Sequence, residues 1–317
     1  MKKYFKTLDQ QIDILEGQGL AIENREKVRL YLLRYNYYKV INSGADIFYE
    51  DKKRKKFIEG VNFQDLVEVH KFDVELKNIL LMASLDIERH FRSIVSHVFM
   101  KNHQEANSYL DPENFNNNYK DLINTNIKYA EKIIEEYAEE INYSKSIKYY
   151  MGKYNHVPFW FLVNFYTFGK IINFYQTMKN TEKEEVCDYL SMFLRESMSS
   201  DLRIKPDLLE SFLLNIKEIR NICAHDNLII GYRCENDTKY LKPLHEYYGI
   251  DRKKPRRNVF NAIIIMQVFL DKNQFDDMIY NIKSSLTDLE KNINKTSFNK
   301  LLGALGIEEE YGKDRKI

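Results

Sequence analysis

Arg220 and His225 lie close together in the segment Ile216-Lys217-Glu218-Ile219-Arg220-Asn221-Ile222-Cys223-Ala224-His225-Asp226, and these two residue types suit work on a phosphodiester. Metal-independent cleavage of RNA needs three things: a group to take the 2′-OH proton, a group to protonate the departing 5′-oxygen, and positive charge on the crowded phosphate. Histidine serves either proton transfer near neutral pH, and arginine grips two phosphate oxygens at once. At about 100° per residue, Asn221 and His225 share one helix face and Arg220 lies one step around it. Ile216, Ile219 and Cys223 fall on the opposite, core-facing side. The three polar side chains are therefore expected to look outward together. A plainer role competes: Arg and His near a helix C-terminus complement the dipole and tie down the last carbonyls.

A second Arg-x4-His spacing occurs at Arg92 and His97, with Glu88 four residues before the arginine. It reads first as a charged stripe paired through Glu88, and secondly as an accessory or RNA-contacting face. Two basic runs, Lys52-Lys53-Arg54-Lys55-Lys56 and Arg252-Lys253-Lys254-Pro255-Arg256-Arg257, are either solvated loops or a source of attraction for a polyanion. Tyr35, Tyr37, Tyr38, Tyr149 and Tyr150 offer rings for stacking on unpaired bases, although aromatics at helical spacing more often fill a core, as do Phe159, Trp160 and Phe161.

Other chemistries lack their residues. His70, His90, His103 and His245 have no metal-ligand spacing, and HExxH, CxxC, an acidic triplet, a Gly-rich phosphate loop and a Ser/His/Asp order are all missing. Neither metal nor cofactor is expected. Cys187, Cys223 and Cys234 form an odd set, which argues against a disulfide framework and fits a reducing cytoplasm. A net charge of +1 gives no global pull toward polyanions, so any nucleic-acid surface must come from local clustering. The start Met1-Lys2-Lys3-Tyr4-Phe5 leads into no apolar h-region, and no apolar run is long enough to span a membrane.

The elements that must position these residues are helices. Eleven glycines and five prolines are few for 317 residues. Leu8, Ile12 and Leu15 recur at helical spacing after Thr7. Asn24 caps a second helix ending in Tyr35-Asn36-Tyr37-Tyr38, and Asn62 caps a long spine through Phe72, Leu80, Ile87 and Val95. Asp111-Pro112 is expected to open another helix, and the apolar run Phe159 to Tyr175 to form a buried one. Further helices are expected over about 181–198, 206–226, 257–271 and 273–293, separated by Lys205-Pro206 and by the segment from Gly231 to Pro255.

Arg220-Asn221-Ile222-Cys223-Ala224-His225 resembles the R-N-x-x-x-H signature of HEPN domains, a helical family that includes many prokaryotic toxin ribonucleases. Over roughly residues 7 to 290 the chain is similar to Abi-like (AbiD/AbiF-type) abortive-infection proteins. The resemblance is carried by Gln11-Ile12-Asp13-Ile14-Leu15, Gly19-Leu20, Tyr35-Asn36-Tyr37-Tyr38, Phe72-Asp73-Val74-Glu75-Leu76, Ile87-Glu88-Arg89, Pro158-Phe159-Trp160, Thr167-Phe168-Gly169 and Arg220 to His225. Lys39 stands where the family often has an arginine after its paired tyrosines, which puts bidentate phosphate binding at that position in doubt.

The resemblance implies an all-α, HEPN-like helical bundle with an N-terminal helical extension: a helical region over 1–60, the bundle with insertions over 61–295, and a tail over 296–317. It implies a metal-independent endoribonuclease of phage defence, with Arg220 and His225 catalytic and Asn221 beside them, working as a homodimer with a composite cleft. RNA is the expected partner, as substrate and as a small non-coding antitoxin RNA; DNA, lacking the 2′-OH, and membranes are not expected partners. The alternative is a non-catalytic RNA-binding helical module of a toxin-antitoxin or defence system.

Overall fold

The computed structural model describes residues 4–139, 145–198 and 202–307. The Thr7 side chain and Gln10 close a capping box at the start of α1 (Leu8–Gly17), and Asn24 caps α2 (Arg25–Tyr35) by accepting from the Lys27 N–H. Asn36 then takes a left-handed φ of 67°, and its side chain accepts from the Tyr38 N–H to start α3 (Tyr37–Asn42). The tyrosine cluster therefore straddles a bend between two helices. The chain next forms an antiparallel hairpin of β1 (Tyr49–Asp51) and β2 (Lys56–Phe57). Asp51 closes its turn by accepting from the backbone N–H groups of Lys53 and Arg54. The first basic run thus forms a hairpin tip and the start of a strand.

Helix α4 (Phe63–Asn102) is 40 residues long, about 60 Å at 1.5 Å per residue. Asn62 and Asp65 form its capping box. Leu66, Val69, Phe72, Leu76, Leu80, Ile87, Phe91 and Val95 are buried along it, and α4 is the spine on which α3, α7, α8, α9, α10 and α13 pack.

The remaining helices are α5 (Lys120–Glu139), α6 (Lys145–Tyr154), α7 (Phe159–Leu162), α8 (Phe168–Thr177), α9 (Asn180–Met198), α10 (Pro206–Ala224), α11 (Lys242–Tyr247), α12 (Val259–Ile265), α13 (Lys272–Asn292) and α14 (Lys295–Leu305). The fold is all-α apart from the small hairpin.

Several boundaries differ from the sequence reading. Asp111-Pro112 opens only a 3-10 turn, because Asp111 caps Glu113 and Phe115 is extended; the helix proper starts at Lys120. The apolar run from Phe159 is broken: Tyr166 is extended and Thr167 caps a new helix by accepting from the Lys170 N–H. The helix expected over 257–271 shortens to α12 and a 3-10 turn, Met266–Val268. Three helices lie outside the expected set: α3, which begins within the tyrosine cluster, α11, between Gly231 and Pro255, and α14, within the segment read as a tail.

Candidate functional site

Pro206 begins α10, and Leu209, Phe212, Leu213, Ile216, Ile219 and Cys223 bury its inner face. The helix ends in a Schellman arrangement. The Asn227 N–H donates to the Ile222 carbonyl at 2.9 Å and the Asp226 N–H to that of Cys223 at 3.1 Å. His225 is the C-cap, and Asp226 holds the left-handed position at φ 50° that glycine usually fills. A non-glycine residue there costs about 1–2 kcal/mol.

The Asp226 carboxylate explains why that conformation is retained. It pairs with Lys77 of α4, and with Lys39 of α3 at 3.3 Å; Lys39 also donates to the Asp226 carbonyl. Lys77, only 6% exposed, also lies 2.8 Å from Asp73. Asp73 in turn accepts from the backbone N–H groups of Ile229 at 3.2 Å and Ile230 at 3.3 Å. Burial pushes the Asp226 carboxyl up, but the two ammonium groups outweigh it and hold it below the ordinary aspartate range. Burial likewise pulls Lys77 down, and its two carboxylates more than reverse that. Lys39, Asp73 and Lys77 thus clamp the turn that carries His225 to the spine. The Asp73/Lys77 spacing (i, i+4) is visible in the sequence, but nothing local points to Asp226 as their partner.

Arg220 is less exposed than its two neighbours and turns partly inward. Its Nε lies 3.6 Å from Glu88 Oε2, while Glu88 Oε1 accepts from Arg92. Glu88 is buried, so one carboxylate of α4 joins the arginines of both Arg-x4-His segments. At 3.6 Å the Arg220 Nε and Glu88 Oε2 make no hydrogen bond, nor does either find one elsewhere. The terminal nitrogens of Arg220 make none to a described residue, and the side chain is 28% exposed. A charge positions this arginine, leaving its outer fork available. Because Arg220 meets Glu88 while Asp226 meets Lys77, α10 runs antiparallel to α4.

Asn221 and His225 are exposed, and neither side chain bonds to a described residue. Tyr38 is 64% exposed on α3, the helix whose Lys39 reaches Asp226, whereas Tyr37 is half-buried and its phenol is pushed up by burial. Lys52, Lys53, Arg54, Lys55 and Lys56 are exposed. In the second run Arg252, Lys253, Lys254 and Arg257 are exposed, but Arg256 is tied down. It donates to the carbonyls of Thr238, Arg252 and Lys254 and lies over the Tyr240 ring. Arg92 and His97 line a separate open cleft of about 710 Å³. The three cysteine thiols are buried and pushed up to about 12, which keeps them un-ionised.

With this geometry in place, comparison with known proteins gives one decisive result. A family model described as Abi-like protein matches residues 30–230, more than half of the chain. The chain belongs to the Abi-like protein family. The family name ties it to abortive infection, a form of phage defence. The match spans α3 with its tyrosines, the whole of α4, and the end of α10 with Arg220, His225 and Asp226. No curated protein and no solved structure matches the chain. Among the described residues no helix is long and apolar enough to cross a membrane, and no three His, Cys, Asp or Glu side chains gather in a metal-binding group.

Proposed function

We propose that this Abi-like protein is an endoribonuclease that cleaves RNA by attack of the 2′-OH on the adjacent phosphorus. The observation that carries this reading is the end of α10. There His225 is exposed on a turn clamped through Asp226, and Arg220 is held by buried Glu88 with its outer nitrogens open. In the reaction the 2′-oxygen bonds to phosphorus and the bond to the 5′-oxygen breaks, leaving a 2′,3′-cyclic phosphate and a 5′-OH. Arg220 grips the phosphate oxygens, and His225 accepts the 2′-OH proton. The 5′-oxygen must receive a proton as it leaves, and one copy of the site offers one such histidine. A two-fold homodimer supplies the second. The HEPN resemblance of Arg220-Asn221…His225 supports the same roles.

A small non-coding RNA is the natural restraint for such an enzyme, and the exposed basic runs give it a surface to bind. The test compares wild type with His225→Ala on labelled total RNA, in EDTA. Cleavage by wild type alone, with cyclic-phosphate ends and unimpaired RNA binding by the variant, is the expected result. Equal binding with intact RNA in both would instead assign a non-catalytic RNA-binding module. Light scattering that finds only monomer, with and without RNA, would remove the composite site.

A further inference from the structure

The open cleft beside Arg92 has a chemistry the proposed cleavage step does not use. One wall is a stripe of α4 from Arg89 through Arg92, His97 and Lys101, running about 20 Å along the helix at 1.5 Å per residue. The facing wall is α7 and the turn after it, where Trp160 and Asn164 line the cleft. Trp160, the only tryptophan of the chain, is 53% exposed and is braced edge-on by Tyr150 at 5.9 Å. What sets this indole apart is its setting: a ring face held open across from a line of cations.

No acidic residue lines the cleft. The carboxylates that balance its cations are Asp86 for Arg89, Glu88 for Arg92 and Glu185 for Lys101, and none of them belongs to the lining. His97 adds a further polar group, with its Nε2 3.3 Å from the Tyr189 hydroxyl. Arg92 of the cleft and Arg220 of the α10 site share one carboxylate, that of buried Glu88.

We infer that this cleft binds a single-stranded segment of RNA, with a base stacked on Trp160 and the flanking phosphates against Arg89, Arg92 and Lys101. The inference rests on the RNA reading above and specifies where the strand lies. Stacking plus cations tracks a backbone without demanding a sequence, and an unpaired strand is the form that exposes base faces.

Because Trp160 is the only indole, tryptophan emission reads this wall alone. The probe is a short, fully 2′-O-methylated oligouridine, which the proposed reaction cannot cleave. Saturable quenching of Trp160 emission is expected, tracking the fluorescence anisotropy of the labelled oligomer. Arg89→Gln with Lys101→Gln, both surface changes checked by thermal melting, should weaken binding about tenfold and flatten its salt dependence. Trp160→Ala should weaken it by a similar factor.

Binding seen by anisotropy without quenching, or no binding at all, overturns the inference. So does an emission shift driven by protein concentration alone, which would assign the wall to a second copy of the chain. Cleavage of unmodified RNA is scored separately. Cleavage without quenching leaves the nuclease reading standing and removes this cleft, and quenching without cleavage does the reverse.

Discussion

Lys77 and Asp226 are 149 residues apart in sequence, yet they form an ion pair that fixes the end of α10 to the first half of α4. Asp226 accepts a left-handed backbone to make it, and Lys77 accepts burial. Both penalties are offset because Asp73 and Lys39 complete the cluster. The geometry of His225 therefore depends on charges outside the Arg-Asn…His motif.

Removing Lys77 leaves Asp73 buried with only its backbone donors. Lys77→Met is expected to destabilise the fold by about 3–5 kcal/mol, the cost of breaking one side of a buried pair. Urea denaturation followed by circular dichroism measures this; a loss within error would show that the cluster does not hold α10.

Asp226→Gly separates conformation from charge. Glycine relieves the left-handed backbone, worth about 1 kcal/mol, but gives up the bonds to Lys77 and Lys39. Stability should therefore change little or fall slightly, while RNA cleavage drops sharply as His225 loses its anchor. A variant that keeps wild-type cleavage would rule out a positioning role for Asp226.

The acid side of the stability curve should descend in two stages. Burial lowers His70 and His245 below the usual histidine value, so they stay neutral in the fold. As pH falls below about 6.5 the unfolded chain takes up protons that the folded one refuses, and stability declines. Asp226 is also depressed, so its contribution is complete above about pH 4 and is lost as pH falls through the lower folded value. Melting temperature against pH should show the first stage in wild type and, somewhat deeper, in Asp226→Asn, because the Asp226 carboxylate raises His70 and its loss leaves that imidazole harder to protonate. The gap between the two proteins should stay constant at neutral pH and close only below about pH 4.

Glu88 is expected to matter to both arginines at once. Glu88→Gln keeps the shape but leaves Arg92 and Arg220 facing each other without a shared carboxylate. Cleavage should fall at least about tenfold, roughly 1.4 kcal/mol in the barrier. The loss in Glu88→Gln combined with Arg92→Gln should be smaller than the sum of the two single losses, because both act through one network. Additive losses would mean that the two arginines are independent.

The two kinds of arginine in the second basic run should behave differently. Arg256→Ala removes three bonds to loop carbonyls and should lower stability. Arg252→Ala with Lys253→Ala should leave the melting temperature unchanged and reduce the salt dependence of RNA binding, by about 0.7 in slope per lost phosphate contact on a single strand. Melting and salt titration on both variants check this.

Consecutive residues carry the helical class, the start of α1 after Thr7, the capped starts of α2 and α4 at Asn24 and Asn62, and the inner face of α10. All of these follow from local spacing and local hydrogen bonding, which are written in consecutive residues. The sequence also displayed the Arg220/His225 pair and the Glu88/Arg92 spacing, but each as a separate local pattern. Only the tertiary structure joined them. The break at Tyr166-Thr167 is marked locally only by the Thr167 cap, since periodicity within an apolar run carries no signal there. The partial inward turn of Arg220 has a related cause: helical phase gives the direction of a side chain but not the buried carboxylate of a neighbouring helix that attracts it. Lys39, Asp73 and Lys77 gained their roles the same way, because an ion pair between distant segments leaves no mark on the spacing of either.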